Sequence, residues 1–321
     1  MHMKLLIVTQ MVDENDPILG FFCPWIQEFA KHCSKITVIA LSVGKHHMPS
    51  NVSVHSLGKD KGYGRFTYTV RFYKYIWSMR NKYDVVFVHM NPEYICMAGI
   101  MWRILGKRIA LWYTHKSVTP KLRIAEFLSN IIFTASQESF RLQSKKVHVV
   151  GHGIDTNFFT PNENINRDNW LLSVGRLTQS KRHDLAIHVA ALVNSELRIV
   201  GEGPEHKILE ALAKALKVKI RFLGGITQTQ LREEYWRAAY LIHTSETGSL
   251  DKVVLEALAC GLPVISTNEA FSNMPIIIAA ADSRAIANAL LGDQIDKNMR
   301  IAYVKENHSL QKLISTMLGL M

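Results

Sequence analysis

The 321-residue sequence predicts an α/β protein built as two Rossmann-like β/α/β domains facing each other across a cleft. Three observations predict it. Short β-branched apolar runs alternate with helical patterns along the whole chain, as they do when parallel strands are joined by crossover helices. A polar, Asn-rich stretch punctuated by Pro161 interrupts the alternation between Asp155 and Trp170. The length, with a hydrophobic fraction of 48%, gives each side of that break enough apolar surface for its own core.

The strands expected in the first half are 5–9, 36–41, 85–89, 109–113, 131–135 and 147–150. Those of the second half are 171–174, 197–200, 220–223, 240–243, 263–267 and 276–279. Between them lie helical patterns. Phe22, Ile26, Phe29 and Ala30 share one face of the first helix, and Leu185, Ile187, Val189, Ala190 and Leu192 crowd the helix after Val174. The domains are therefore set at 1–155 and 156–302. Open parallel sheets bind ligands outside the C-terminal ends of their strands, so two such edges facing each other would make the cleft the site.

Composition narrows the class. The most apolar stretch, 94–102, ends at Arg103, well short of the roughly 20 residues of a membrane span. The apolar opening is too brief for a signal peptide and reads as a buried strand. Met3 would itself serve as a start, so Met1 and His2 read either as native or as an addition. Cys23, Cys33, Cys96 and Cys260 lie far apart without a CxxC pair, which argues against a zinc site or a disulfide framework. They read as reduced, mostly buried thiols of a cytoplasmic protein. The net charge of +11 is lopsided: 20 Lys and Arg stand against 10 acids up to Asp155, and 18 against 17 beyond it. A basic first half next to a neutral second half implies an anionic partner on one side.

Three motifs carry chemistry. Val174-Gly175-Arg176-Leu177 ends a strand, and Lys181 follows five residues after Arg176; the glycine admits close approach, and a fork of donors beside a compact cation suits a diphosphate. Val200-Gly201-Glu202-Gly203-Pro204-Glu205 offers a tight turn one strand later. The polar loop 244–252, with Gly248, Ser249, Leu250 and Asp251, opens the apolar helix Val253-Val254-Leu255-Glu256-Ala257-Leu258, whose first N–H groups would suit phosphate. Glu256 sits in that apolar helix and requires partners. Ribose hydroxyls would satisfy it, as would a core Lys or Arg; the ligand role is the one taken.

The order strand–Gly175-Arg176-Leu177–Lys181, then 201–205, Phe222-Leu223-Gly224-Gly225, and 255–265 resembles the donor-binding domain of family 4 glycosyltransferases of the GT-B fold. The first half is similar to that family in the loop 16–22 with Gly20, in Trp112-Tyr113-Thr114-His115, and in 150–155. The resemblance covers nearly the whole chain. It implies a retaining transferase of the glycosyl (EC 2.4) class, with a nucleotide-sugar donor and no metal. By the same resemblance Arg176 and Lys181 neutralise the leaving diphosphate, and His115 lies near the transferred sugar. Gly20, Gly175, Gly201, Phe222, Leu223, Gly248, Ser249, Leu250, Asp251 and Glu256 form the donor site, with Glu256 on the ribose and the 222–224 backbone at the base. A final helix, within 303–321, crosses back to the first domain. One departure stands out: the family's glutamate eight residues before Glu256 is here Gly248, flanked by Glu246 and Asp251 as partial substitutes.

The implied reaction is a front-face substitution in which the acceptor hydroxyl attacks from the side the diphosphate leaves. The implied acceptor is a polysaccharide, glycolipid or lipid-linked glycan. Acceptor choice falls to the first domain, where segment 59–82 mixes Lys59, Lys61, Arg65, Arg71, Lys74, Arg80 and Lys82 with seven aromatics. That mixture suits attachment to the anionic inner face of a membrane, and equally a helix whose rings face the sheet while its cations are solvated. Nucleic acid fits less well, because no binding motif accompanies the charge. Two other readings share the architecture. A GT-B nucleotide-sugar epimerase would need an acid–base pair that the sequence does not offer. A non-catalytic nucleotide-binding relative is the reading that Gly248 keeps open.

Overall fold

The computed structural model describes residues 3–292 and 294–321, so Met1 and His2 lie outside the described residues. Two compact units divide the chain. One runs to Gly153 and takes in Leu310–Met321; the other is Ile154–Ser309.

The first unit contains β1 (Lys4–Val12), α1 (Phe22–His32), β2 (Lys35–Val43), β3 (Val52–Ser56), α2 (Arg65–Ser78), β4 (Val85–His89), α3 (Pro92–Ile104), β5 (Arg108–Trp112), α4 (Pro120–Leu128), β6 (Ile131–Thr134) and β7 (Val147–Val149). They form one parallel sheet in the order β3-β2-β1-β4-β5-β6-β7. Alternation along β1 shows why its sequence is a continuous apolar run. Leu5 and Ile7 enter the core shared with α1, while Leu6 and Val8 enter the core shared with α2, α3 and α4, and all four are fully buried. β3 lies outside the expected strands. It is the edge strand, half-exposed and polar in alternation, so it lacks the apolar run that marks the others.

The second unit contains β8 (Leu171–Val174), α5 (His183–Leu192), β9 (Leu197–Val200), α6 (His206–Ala215), β10 (Ile220–Gly224), α7 (Gln228–Arg237), β11 (Tyr240–His243), α8 (Lys252–Ala259), β12 (Val264–Ser266), β13 (Ile277–Ile278), α9 (Ser283–Ala289) and α10 (Lys297–Asn307). The sheet order is β10-β9-β8-β11-β12-β13, again parallel. α7 starts on a capping box in which Thr227 and Gln230 each satisfy the other's backbone N–H. In α5, Leu185, Ile187, Val189 and Ala190 are buried as expected, but Leu192 is exposed at the last turn, off the packed stripe.

The return segment holds two helices. α10 stays with the second unit, and α11 (Leu310–Leu320) joins the first. The helices part at His308 and Ser309, whose backbone is engaged elsewhere: Ile154 N–H donates to the His308 carbonyl at 2.7 Å, and Ser309 bridges to Ile154. α11 packs beside α1 with Leu313, Ile314 and Met317 buried. Gly153 sits at φ 64°, and a Cβ there would lie 2.6 Å from Leu313 Cδ2, so this passage requires glycine.

Candidate active site

The second sheet reverses its strand order between β8 and β11, and the loops that leave these two strands are tied together. Thr244, just past β11, donates its hydroxyl to the carbonyls of Lys181 and Arg182 at 2.9 and 2.8 Å, and Glu246 N–H donates to the Ser180 carbonyl. The loops after β8, β9 and β10 are joined just as directly. Gly175 N–H donates to Val200, Leu177 to Glu202, Glu205 to Leu177 and Gly201 to Gly224. A Cβ on Gly201, at φ 132°, would fall 1.9 Å from the Gly175 carbonyl oxygen, and one on Gly203 would fall 2.3 Å from that of Leu177. The two glycines of the second motif therefore let neighbouring loops touch backbone to backbone.

This scaffold fixes Lys181. Its Nζ donates to Asp251 Oδ2 at 2.5 Å and to Ser245 Oγ at 3.2 Å, with both charged side chains about one-fifth exposed. Asp251 also accepts from His243 Nε2 at 2.9 Å, and the other ring nitrogen of this buried histidine accepts from Ser266 Oγ at 2.9 Å. Burial alone would raise the Asp251 pKa. The hydrogen bond from His243 and the charge of Lys181 outweigh it and hold the carboxyl well below the usual carboxylate range. Arg176 is exposed on the same loop, and among the described residues no carboxylate pairs with it. The neighbouring cation, Arg182, is spent on Asp184 and Glu246.

His183 is a member of this scaffold that sequence reasoning missed. Burial pushes it down to about 4, against hydrogen bonding to the Arg176 and Gly175 backbone, so the ring is neutral at pH 7. It accepts from Ser173 Oγ at 2.9 Å and donates to the Arg176 carbonyl at 3.3 Å, holding the Arg176 loop from beneath. Its signal was only its place, directly after Lys181-Arg182.

Glu256 is buried in α8 and accepts from the Tyr235 hydroxyl of α7 at 3.2 Å. Burial raises its pKa, opposed by Lys252 one turn earlier and by Tyr235. Both protein partners are thus present before any ribose. Gly248 turns at φ 61°, where a glutamate would be disfavoured by roughly 1–2 kcal/mol, so the departure from the family motif is built into the loop. Of its flanking acids, Asp251 points into the network and Glu246 pairs with Arg182 at the surface. Ser249 and Leu250 follow in the same loop, Ser249 carbonyl accepting from Asn268 Nδ2. Phe222, half-buried within β10, meets the His206 ring at a tilt of 46° with centroids 4.4 Å apart, and Leu223 packs toward the α8 core.

Gly20 and His115 belong to the first unit. Gly20 packs within its own loop, where a Cβ would lie 2.6 Å from the Asp16 carbonyl oxygen. His115 is exposed after β5 and accepts from Ser117 N–H at 3.1 Å.

The family model for glycosyl transferases group 1 matches residues 155–311. Over these residues the chain is similar to the group 1 glycosyl transferases. Similarity extends to a Campylobacter jejuni N-acetylgalactosamine-N,N'-diacetylbacillosaminyl-diphospho-undecaprenol 4-alpha-N-acetylgalactosaminyltransferase, 24% identical over 220 residues that cover 58% of each protein. The gpi3 subunit of the Schizosaccharomyces pombe phosphatidylinositol N-acetylglucosaminyltransferase is 29% identical over 135 residues, 39% of this chain and 30% of that protein. The chain thus spans little more than half the length of the first relative and under a third of the second. The crystal structure of Anabaena Alr3699/HepE in complex with UDP and glucose superposes with a TM-score of 0.75 at 16% identity over 99% of both chains, so the two share the fold of paired Rossmann-like α/β domains.

Proposed function

We propose that this chain is a retaining glycosyltransferase. In this reading the second unit holds a nucleotide-sugar donor at its switch point, and a lipid-linked or glycolipid hydroxyl takes the sugar. The observation that carries it is Lys181, held by Asp251 and Ser245 on the same loop as the exposed Arg176. One cation held there before the donor arrives, with a second exposed on the same loop, is what a leaving diphosphate needs. The acceptor hydroxyl attacks C1 from the face the diphosphate leaves, its proton passes to the departing phosphate oxygen, and the C1–O bond to the diphosphate breaks. Arg176 and Lys181 carry the charge that a metal carries in other transferases, so activity should survive EDTA. The lipid-linked acceptor is supported by the relatives whose names include diphospho-undecaprenol and phosphatidylinositol. The test is a thermal-shift screen of UDP, GDP, ADP and their sugars, followed by released diphosphate for each binder. A selective shift that vanishes in Arg176→Ala, with slow donor hydrolysis, is expected; no shift with any nucleotide would leave only a non-catalytic role.

The proposal places the chain in the cytoplasm at the inner face of an anionic membrane, with segment 59–82 as the contact. The aromatics of α2 divide between its two sides. Phe72 and Ile76 face the sheet, while Phe66, Val70, Tyr73 and Trp77 form an exposed stripe spaced i, i+4, i+7, i+11, with Lys74 beside it. No helix among the described residues is long and apolar enough to cross a membrane. The chain is expected to sediment with anionic vesicles at low salt, and Phe66→Ser with Trp77→Ser to reduce the bound fraction at least fivefold. Equal sedimentation of the double variant would remove α2 from the contact.

A further inference from the structure

The first unit has a cavity of about 350 Å³ at its own switch point, beside the ends of β1 and β4. Gln10, near the end of β1, donates to Asn91 Oδ1, just past β4, at 2.6 Å, and this pair borders the cavity. Its lining is apolar beneath and charged above. Leu57 and Phe72 are buried and Met97 partly so, whereas Arg65 and Glu93 are exposed. The two charges are not equivalent. Glu93 is already bound by Lys121 at 3.0 Å, and among the described residues no carboxylate pairs with Arg65. The cavity therefore presents one uncompensated cation over an apolar floor, the complement of an anionic group joined to a hydrocarbon chain. Arg65 opens α2, and the next residue, Phe66, begins the exposed stripe, so the helix that lines the cavity also carries the exposed rings.

We propose that this cavity is an acceptor-lipid site, in which Arg65 meets the phosphate of a lipid-linked acceptor and the floor of Leu57, Phe72 and Met97 takes the first units of its chain. The inference rests on the transferase reading above and names the acceptor class for it. Calorimetry on the full chain in a Lys181→Ala background, which weakens diphosphate binding in the second unit, tests it with farnesyl diphosphate, farnesol and inorganic diphosphate as probes. Farnesyl diphosphate is expected to bind at least tenfold more tightly than either of the others. Arg65→Glu, a surface change that leaves the packing alone, should weaken it at least tenfold. Met97→Trp, which fills the floor, should weaken it as much while leaving inorganic diphosphate unaffected. Farnesyl diphosphate binding no better than inorganic diphosphate, or indifference to both substitutions, would overturn the assignment. Nucleotide binding by the unsubstituted chain is read separately. If that binding is present while the cavity tests fail, only the lipid site falls; if it is absent, the transferase reading falls with it.

Discussion

Asp251→Asn is expected to lower sugar transfer roughly a hundredfold in kcat, with a smaller change in donor KM. The substitution keeps the shape of the side chain but removes the charge that holds Lys181 and accepts from His243. Lys181 would then be an ordinary mobile lysine, and its positive charge would no longer be fixed where the leaving group forms. Breaking a largely buried pair should also cost the second unit about 2 kcal/mol at pH 7. The pH dependence of that loss separates this role from simple packing. Because the folded-state pKa of Asp251 is depressed, its contribution is fully present above the unfolded value near ~4 and is lost as pH falls through the folded value. Urea melts should show the gap between the two proteins undiminished from pH 7 to pH 5 and narrowing below ~4. An unchanged kcat in the Asp251→Asn protein would show that Lys181 needs no anchor.

Much of the architecture was legible because its cause is local. Parallel strands covered on both faces must be apolar throughout, and the runs read from the sequence all coincide with strands that start within a residue of expectation. The edge strand β3 escaped because one of its sides has no sheet neighbour, and Val52-Ser53-Val54-His55-Ser56 carries only alternation. In the site, the glycines and the cations were visible as motifs. Their partners were not, because β11 brings His243 to Asp251, the β8 loop brings Lys181 across 70 residues, and α7 brings Tyr235 to Glu256. Glycine spacing marks where backbones approach; it does not say whether a ligand or another loop fills the space. Gly20 illustrates the difference, since its own loop occupies the room a side chain would need.

Gly201→Ala is expected to have the largest effect on stability. The Gly201 motif reads from the sequence as a tight turn, and its Cα faces the Gly175 carbonyl, with 1.9 Å available for a Cβ that real contacts hold beyond 3 Å. The obstacle is backbone at the end of β8, so no rotamer change can relieve it, and φ 132° adds strain for any residue with a side chain. Separation of the two loops would stretch the hydrogen bonds from Gly175 to Val200 and from Leu177 to Glu202. Together these should cost about 3 kcal/mol or more and lower Tm by about 10 °C. The functional consequence follows from the same contact. Arg176 is the residue after Gly175, and Lys181 leaves the same loop, so surviving folded protein should bind nucleotide at least tenfold more weakly. A thermal melt within 2 °C of the unsubstituted chain, with nucleotide binding intact, would mean that the β8 and β9 loops can part without cost and that the cations are held from the β11 side alone.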